Sequence, residues 1–204
     1  MDNDALIYKT TGEIADISAG YPLRGSVDAL AQGDVPFVQM KNVDPETGID
    51  WSSVQRVELP GARKPKLLTD NDVIFASRGT RNFAYAVTGG PEHSVCSPHF
   101  FVLSIRDTSR LNPEFLAWQI NQKPAQDYLQ RSAVGTQAIK AIRRPSLEAL
   151  PLAIPPLHEQ LLIVEFWRAS QQERATLNQL IELSKHRSEA IATGLFQRIK
   201  GTPS

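Results

Sequence analysis

The chain of 204 residues holds one cysteine, Cys96, so it has no internal disulfide and cannot build a cysteine-based zinc site alone. A reducing, cytoplasmic setting is the expectation. No stretch approaches the roughly 18 unbroken apolar residues that a membrane span requires. The opening Met1-Asp2-Asn3-Asp4 is acidic and lacks an apolar core, so no signal peptide is expected. There is no net charge: 22 basic residues balance 22 acidic ones, which argues against a general polyanion sponge. GxxxxGK[ST] is missing, as is a glycine-rich strand–turn–helix, so neither a P-loop nor another nucleotide cofactor is expected. His93, His158 and His186 are too scattered for a metal site, and the pair Cys96 and His99 has no identifiable group to orient it for nucleophilic chemistry. What remains is globular, with 41% hydrophobic and 22% charged residues, which excludes a mostly disordered chain.

Charge is segregated although it cancels. Residues 1–55 carry three basic and nine acidic side chains, residues 56–144 carry thirteen and seven, and residues 145–204 carry six of each. Either an acidic or polyanionic partner faces the middle segment, or the two parts neutralise each other within one fold. The middle segment also carries the β signals. Val35–Met40, Val54–Leu59, Asp72–Ser77, Phe83–Val87 and Phe100–Ile105 are short runs rich in branched or aromatic residues and bounded by Gly, Pro, Asn or Asp. Ahead of them Gly12–Ile17 reads as a short helix ended by Gly20-Tyr21-Pro22. Behind them Asn112 is placed to cap a helix with Pro113 at its first position, and Pro124 opens a second short helix.

From Leu157 to about Lys200 there is no proline, and Glu159 and Arg198 sit at the ends that suit a helix dipole. At ~1.5 Å per residue this helix is on the order of 65 Å long. Ile163 and Trp167 recur fourteen residues later as Leu177 and Ile181, and again as Ile191 and Leu195, with Phe166, Leu180 and Gly194 as a third row. Fourteen is two heptads, so the rows stay on one side of a gently supercoiled helix. Ser170 with Arg174 and Ser184 with Ser188 interrupt the seam. A coiled-coil partner and a solitary amphipathic helix both fit; the length favours the partner.

Asp34-Val35-Pro36-Phe37 is similar to the target-amine loop of amino-methyltransferases, but Val35 stands where the first of two prolines belongs, and no cofactor motif accompanies it. A stronger resemblance lies elsewhere. Leu150-Pro151-Leu152-Ala153-Ile154-Pro155-Pro156-Leu157-His158-Glu159-Gln160 resembles the L-x-x-I-P-x-P-P-L-x-E-Q junction of the specificity (S) subunits of type I restriction-modification systems. Gly12–Gly20 resembles that family's opening helix and glycine loop, Asp70–Gly79 its G-D-I-L-x-x-R-x-G strand, and Leu111–Leu116 with Gly135-Thr136-Gln137 its helix pair and following turn.

The resemblance implies an α+β protein: a curled, mostly antiparallel β-sheet target recognition domain with helices, over 1–152, and one long coiled-coil-type spacer helix, over 153–204. With one module and no internal repeat, the chain looks like a half-length subunit that dimerises through Ile163, Trp167, Leu177, Ile181, Ile191 and Leu195, or pairs with another half-subunit. It implies a protein without catalysis of its own that holds double-stranded DNA and directs a methyltransferase, and sometimes a restriction subunit. The chemistry of base reading, in which Arg pairs with guanine and Asn or Gln with adenine, points to Arg78, Arg81 and Asn82, with Gly79 permitting close approach. Arg63, Lys64 and Lys66 read as phosphate contacts or, equally, as a solvated basic loop, and Gln137, Lys140, Arg24, Tyr21, Arg143 and Arg144 as further candidates for DNA contact. An ion pair for Arg78, pairing of Arg143 or Arg144 with Glu148, and a packing role for Tyr21 are the alternatives at those positions. A stand-alone DNA-binding regulator and a helical scaffold protein are the alternative functions.

Overall fold

The computed structural model describes residues 6–23, 27, 33–59, 64–79, 81–135 and 140–200, with side chains at all of these except 134, 135, 140 and 197–200. The chain falls into two compact units, 1–164 and 165–204, so the first two turns of the long helix belong with the head.

The head opens with β1 (Ile7–Thr10), α1 (Thr11–Ile14) and β2 (Ala15–Ala19). The helix expected over Gly12–Ile17 is therefore only its first half. Ala15 and Ile17 point alternately into the core, and β2 pairs antiparallel with β11 from Ala15↔Ile105 to Ala19↔Phe101. The spacing of Ile14 and Ile17 imitated a helical period, but period-two burial and a long ladder decided the outcome.

Then come β3 (Val35–Val38), a hairpin of β4 (Val43–Asp44) and β5 (Gly48–Ile49), β6 (Arg56–Val57), β7 (Asp72–Ala76), β8 (Arg78–Gly79), β9 (Ala84–Ala86), β10 (Val95–Cys96) and β11 (Phe100–Ile105). The central sheet has the order β2-β11-β7-β9 and is antiparallel throughout. Its two faces carry different cores. Val73 and Phe75 of β7 pack with Leu103 toward the helices, while Ile74 and Ala76 pack with Phe100 and Val102 toward Val38, Phe83 and Cys96. Burial on both sides is why β7 is apolar at successive positions rather than alternating. A second sheet, β10-β3-β6, contains a parallel pair, Val95↔Phe37 and Cys96↔Val38.

The helical layer is α2 (Pro113–Asn121), α3 (Lys123–Arg131) and, after β12 (Val134–Gly135) and β13 (Lys140–Ala141), α4 (Arg144–Glu148). The Asn112 side chain accepts from the amides of Glu114 and Phe115 at 2.8 and 3.0 Å, the cap its position suggested. Phe115, Leu116, Ile120, Leu129 and Leu147 close the core from this side.

The chain then returns as β14 (Pro151–Ile154), antiparallel to β1 with Ile7 opposite Ile154, and enters α5 (Leu157–Lys200). This explains the proline-rich junction. Leu152 and Ile154 face the core, Pro155-Pro156 ends the strand, and Gln160 is fully buried within the first turn of α5. The Gln160 Oε1 accepts from the Asn112 amide at 2.9 Å, and its Nε2 donates to the carbonyls of Arg110 and Pro155, both at 2.8 Å. One side chain thus ties the start of α5 to the loop before α2. From Glu165 onward α5 is a continuous helix whose apolar side chains are largely solvent-exposed: Leu177 51%, Leu180 57%, Ile181 52%, Ile191 57% and Leu195 55%.

Candidate nucleic-acid interface

The loop expected to read bases begins where β7 ends. Ser77 donates from its amide and its hydroxyl to the His99 carbonyl, at 2.9 and 2.8 Å, and its own carbonyl accepts from the Ile142 amide at 2.9 Å. These bonds clamp the chain just before Arg78 to the Ser97–Phe100 turn and to the segment after β13. Strand β8 continues the clamp, with Arg78 opposite Ala141 and Gly79 opposite Lys140, while β12 pairs on the outer side of β13. Arg78 is exposed on this three-stranded ribbon, and the ribbon brings position 140 beside position 79. Gly79 has φ of +135°, and a Cβ there would meet nothing closer than Met40 Cε at 3.6 Å. Its backbone conformation by itself favours a glycine at this position.

Asn82 has a different job from the base contact expected. It is buried; its Nδ2 donates to the Ala76 carbonyl at 2.9 Å and its Oδ1 accepts from Gln130 Nε2 at 3.1 Å. It shapes the loop from inside. Arg81 is exposed and lies near the β4–β5 hairpin. There the amide of Thr47, then that of Glu46, the Thr47 hydroxyl and the charge of Arg81 hold the Asp44 carboxyl below the usual carboxylate range.

The basic turn also divides. Lys64 is exposed. Lys66 instead reaches Asp72 at 3.2 Å, and that buried carboxylate also accepts from the Thr69 amide and hydroxyl and from Ser104 Oγ. Lys66 is accordingly part of a structural cluster rather than a free phosphate contact. Arg24, Arg63 and Gln137 lie outside the described residues, as does the side chain of Lys140. Arg144 pairs with Glu148 at 2.7 Å, and Arg143 is exposed. Tyr21 packs with Phe37, Val57 and Val95 in a small core of its own.

The remaining chemistry is quiet. Burial, and secondarily the charge of Asp72, pushes the Cys96 thiol up to about 12, so no thiolate is available at neutral pH. Among the described residues no cluster of His, Cys, Asp and Glu could hold a metal ion, and no helix is long and apolar enough to cross a membrane.

On α5, Ile163 packs partly against the head's own core and Trp167 is half-buried, whereas Leu177, Ile181, Ile191 and Leu195 are exposed. Gly194 sits inside this helix, where a glycine costs ~1 kcal/mol relative to alanine; a Cβ placed on it would meet no atom within 4 Å. Nothing in the described protomer requires a glycine there.

The type I restriction modification DNA specificity domain matches residues 7–184, most of the chain, from β1 to well along α5. The chain belongs to this family. Three solved structures share the fold of this specificity domain. The type I S subunit from M. genitalium is 18% identical with a TM-score of 0.58, and the alignment covers 97% of this chain and 47% of that one. The HsdS subunit from Thermoanaerobacter tengcongensis is 21% identical with a TM-score of 0.59, covering 94% and 47%. A chain from a study of complex assembly and conformational transition in the type I R-M system is 19% identical with a TM-score of 0.61, covering 95% and 44%. The specificity-domain chain therefore spans about half the length of these neighbours. No curated protein matches it.

Proposed function

We propose that the chain is a half-length, non-catalytic specificity subunit of the cytoplasm. In this reading it binds double-stranded DNA and directs a DNA methyltransferase, and a restriction subunit where one accompanies it, to an interrupted target site. The observation that carries the reading is the placement of Arg78: exposed, on a short strand clamped at Ser77 on one side and at Asn82 on the other, within a specificity-domain fold. A base-reading side chain needs such fixed placement, because phosphate contacts position the protein while only base-edge contacts carry sequence. Arg78 and Arg81 are the proposed readers. Lys64, Arg143 and, from their sequence positions, Arg24, Arg63, Gln137 and Lys140 supply backbone or further contacts. Asn82 and Lys66 hold the loop and the turn in shape.

A second copy joins through the exposed face of α5. A twofold dimer reads two identical half-sites in inverted orientation, separated by a spacer that the helix sets. The test is to express the chain with the modification subunit from its own gene neighbourhood and sequence the methylated sites. An interrupted palindrome that disappears with Arg78→Ala is the expected outcome. Methylation independent of this chain, or failure to bind duplex DNA in any sequence context, would remove the reading.

A further inference from the structure

The Ser97–Phe100 turn that clamps Ser77 also walls a cleft of about 200 Å³, with Leu23, Val27, Phe37 and Pro98 as its apolar lining. The sequence builds this cleft by close approach. A Cβ at Gly20 would overlap the Ser97 carbonyl, so glycine is what lets the chain lie against the turn. The Gly20 amide then donates to the Phe100 carbonyl at 3.0 Å and the Tyr21 amide to the Cys96 carbonyl at 2.7 Å, which carries Leu23 to the cleft. On the other wall the Ser97 amide donates to the Val38 carbonyl at 2.8 Å, fixing the turn to the end of β3.

The cleft adjoins the proposed reading strand at two points. His99, in its lining, is the residue whose carbonyl holds Ser77, one position before Arg78. Gln39 also lines it, and its neighbour Met40 lies against Gly79. One polar group in the wall is uncommitted. Ser97 is 4% exposed, yet its hydroxyl has no hydrogen-bond partner, whereas the hydroxyl of Ser77 on the same clamp is bonded at 2.8 Å. A buried hydroxyl left unpaired is costly, and its retention calls for a partner that arrives from outside.

The volume is below the roughly 300–1,000 Å³ of pockets that enclose a whole small ligand, so what enters is an edge of something larger. Apolar walls with one spare hydroxyl suit a methyl group that stands next to a hydrogen-bonding atom. On the major-groove edge of unmodified DNA that pair of features belongs to thymine, through its C5-methyl and O4.

Resting on the reading role of Arg78, we infer that this cleft is a thymine subsite. The C5-methyl seats among Leu23, Phe37 and Pro98, and the Ser97 hydroxyl, turned about its Cα–Cβ bond, donates to O4. The A·T pair lies within two base steps of the pair read by Arg78, because the cleft and Arg78 share the clamp at Ser77.

The test uses the complex with the modification subunit on its own methylated site, with each thymine replaced in turn by deoxyuridine, which removes only the methyl. One position, within two base steps of the pair whose preference Arg78→Ala relaxes, should lose affinity about fourfold, as expected for one buried methyl. Leu23→Ala opens the apolar wall and should cut that penalty to roughly twofold or less. Ser97→Ala removes a hydroxyl that has no partner in the free protein, so the melting temperature of the head should not fall. Its preference for thymine at that position should drop about fivefold, with readout at the Arg78 position intact. Tolerance of deoxyuridine at every thymine, a site with no A·T pair in that window, or full thymine preference in Ser97→Ala overturns the inference and leaves the Arg78 reading standing. Wild-type complex that binds no duplex, or Arg78→Ala that relaxes no position, overturns that reading and the inference with it.

Discussion

The two units of this protein satisfy their side chains in opposite ways. In the head, residues 6–164, apolar groups are enclosed on both faces of the central sheet, and polar groups that are buried are almost all bonded: Asn82 to Ala76 and Gln130, Asp72 to Thr69, Ser104 and Lys66, Gln160 to three backbone groups. In the helix beyond Glu165, apolar groups at seam spacing remain exposed. The head is complete within one chain; the helix is patterned for something outside it. This teaches where mutation should act on stability and where on assembly. Glutamate at both Leu177 and Ile181 puts four like charges in the seam of the proposed dimer, where an unpaired charge costs on the order of 3–5 kcal/mol. Self-association should therefore fall by about two orders of magnitude or more, read by analytical ultracentrifugation. The melting temperature of the head in the resulting monomer should stay put. Joint loss of both would show that the units are not energetically separate.

Gln160 sharpens the comparison from the other side, because it lies in α5 yet belongs to the head. Gln160→Leu leaves the Asn112 amide and the carbonyls of Arg110 and Pro155 without this partner inside the core. Orphaning buried groups costs about 1–3 kcal/mol each before relaxation, so a destabilisation of roughly 2–4 kcal/mol in urea unfolding is expected. Gln160 precedes the first seam residue, Ile163, and is enclosed by the head, so self-association of the folded variant should be unchanged. An unaltered unfolding midpoint would contradict the anchoring role.

How much of this was legible in the sequence depended on whether the decisive partner lay nearby in the chain. Asn112 and Pro113 announce a helix start because capping is local. Phe100–Ile105 announces a strand because its apolar run, broken at Ser104 alone, is rich in branched and aromatic residues and bounded. The seam of α5 is legible from its fourteen-residue recurrence. By contrast β1 was invisible: Ile7–Lys9 are exposed, and the partner strand begins at Pro151. The helix read over Gly12–Ile17 failed because its second half answers to β11, nearly ninety residues away. The site suffered in the same way. Arg78 is exposed but stands on a short strand where a loop between two strands was expected, and nothing local distinguishes Asn82 as an interior residue, because Gln130, which bonds it, is remote. Gln160 was visible only as a letter in a motif, and its role needed the fold.

At the DNA face the comparison becomes one between reading and gripping. Arg78→Ala should relax preference at one base position by roughly 1–3 kcal/mol while leaving affinity for unrelated sequences nearly unchanged, measured by competition binding across single-base variants of the site. Equal losses on every sequence would make Arg78 a phosphate contact and transfer the reading role to Arg81 or to the neighbouring loops.

The smallest effect separates two lysines that the sequence treats alike. Lys64 is exposed and Lys66 is held by Asp72 at 3.2 Å, with Lys66 still one-third exposed. Lys64→Ala should weaken all duplexes alike and reduce the slope of log affinity against log salt by about one, as expected for a single released counterion. Lys66→Ala should leave that slope unchanged. Its cost should appear in the head's stability, at about 1 kcal/mol, because the buried carboxylate of Asp72 keeps its bonds to Thr69 and Ser104 but loses its countercharge. The two substitutions remove the same charge from nearly the same place, so total charge cannot account for a difference between them. If both shift the salt slope equally, the Lys66–Asp72 pair opens on binding, and the turn grips DNA with both residues.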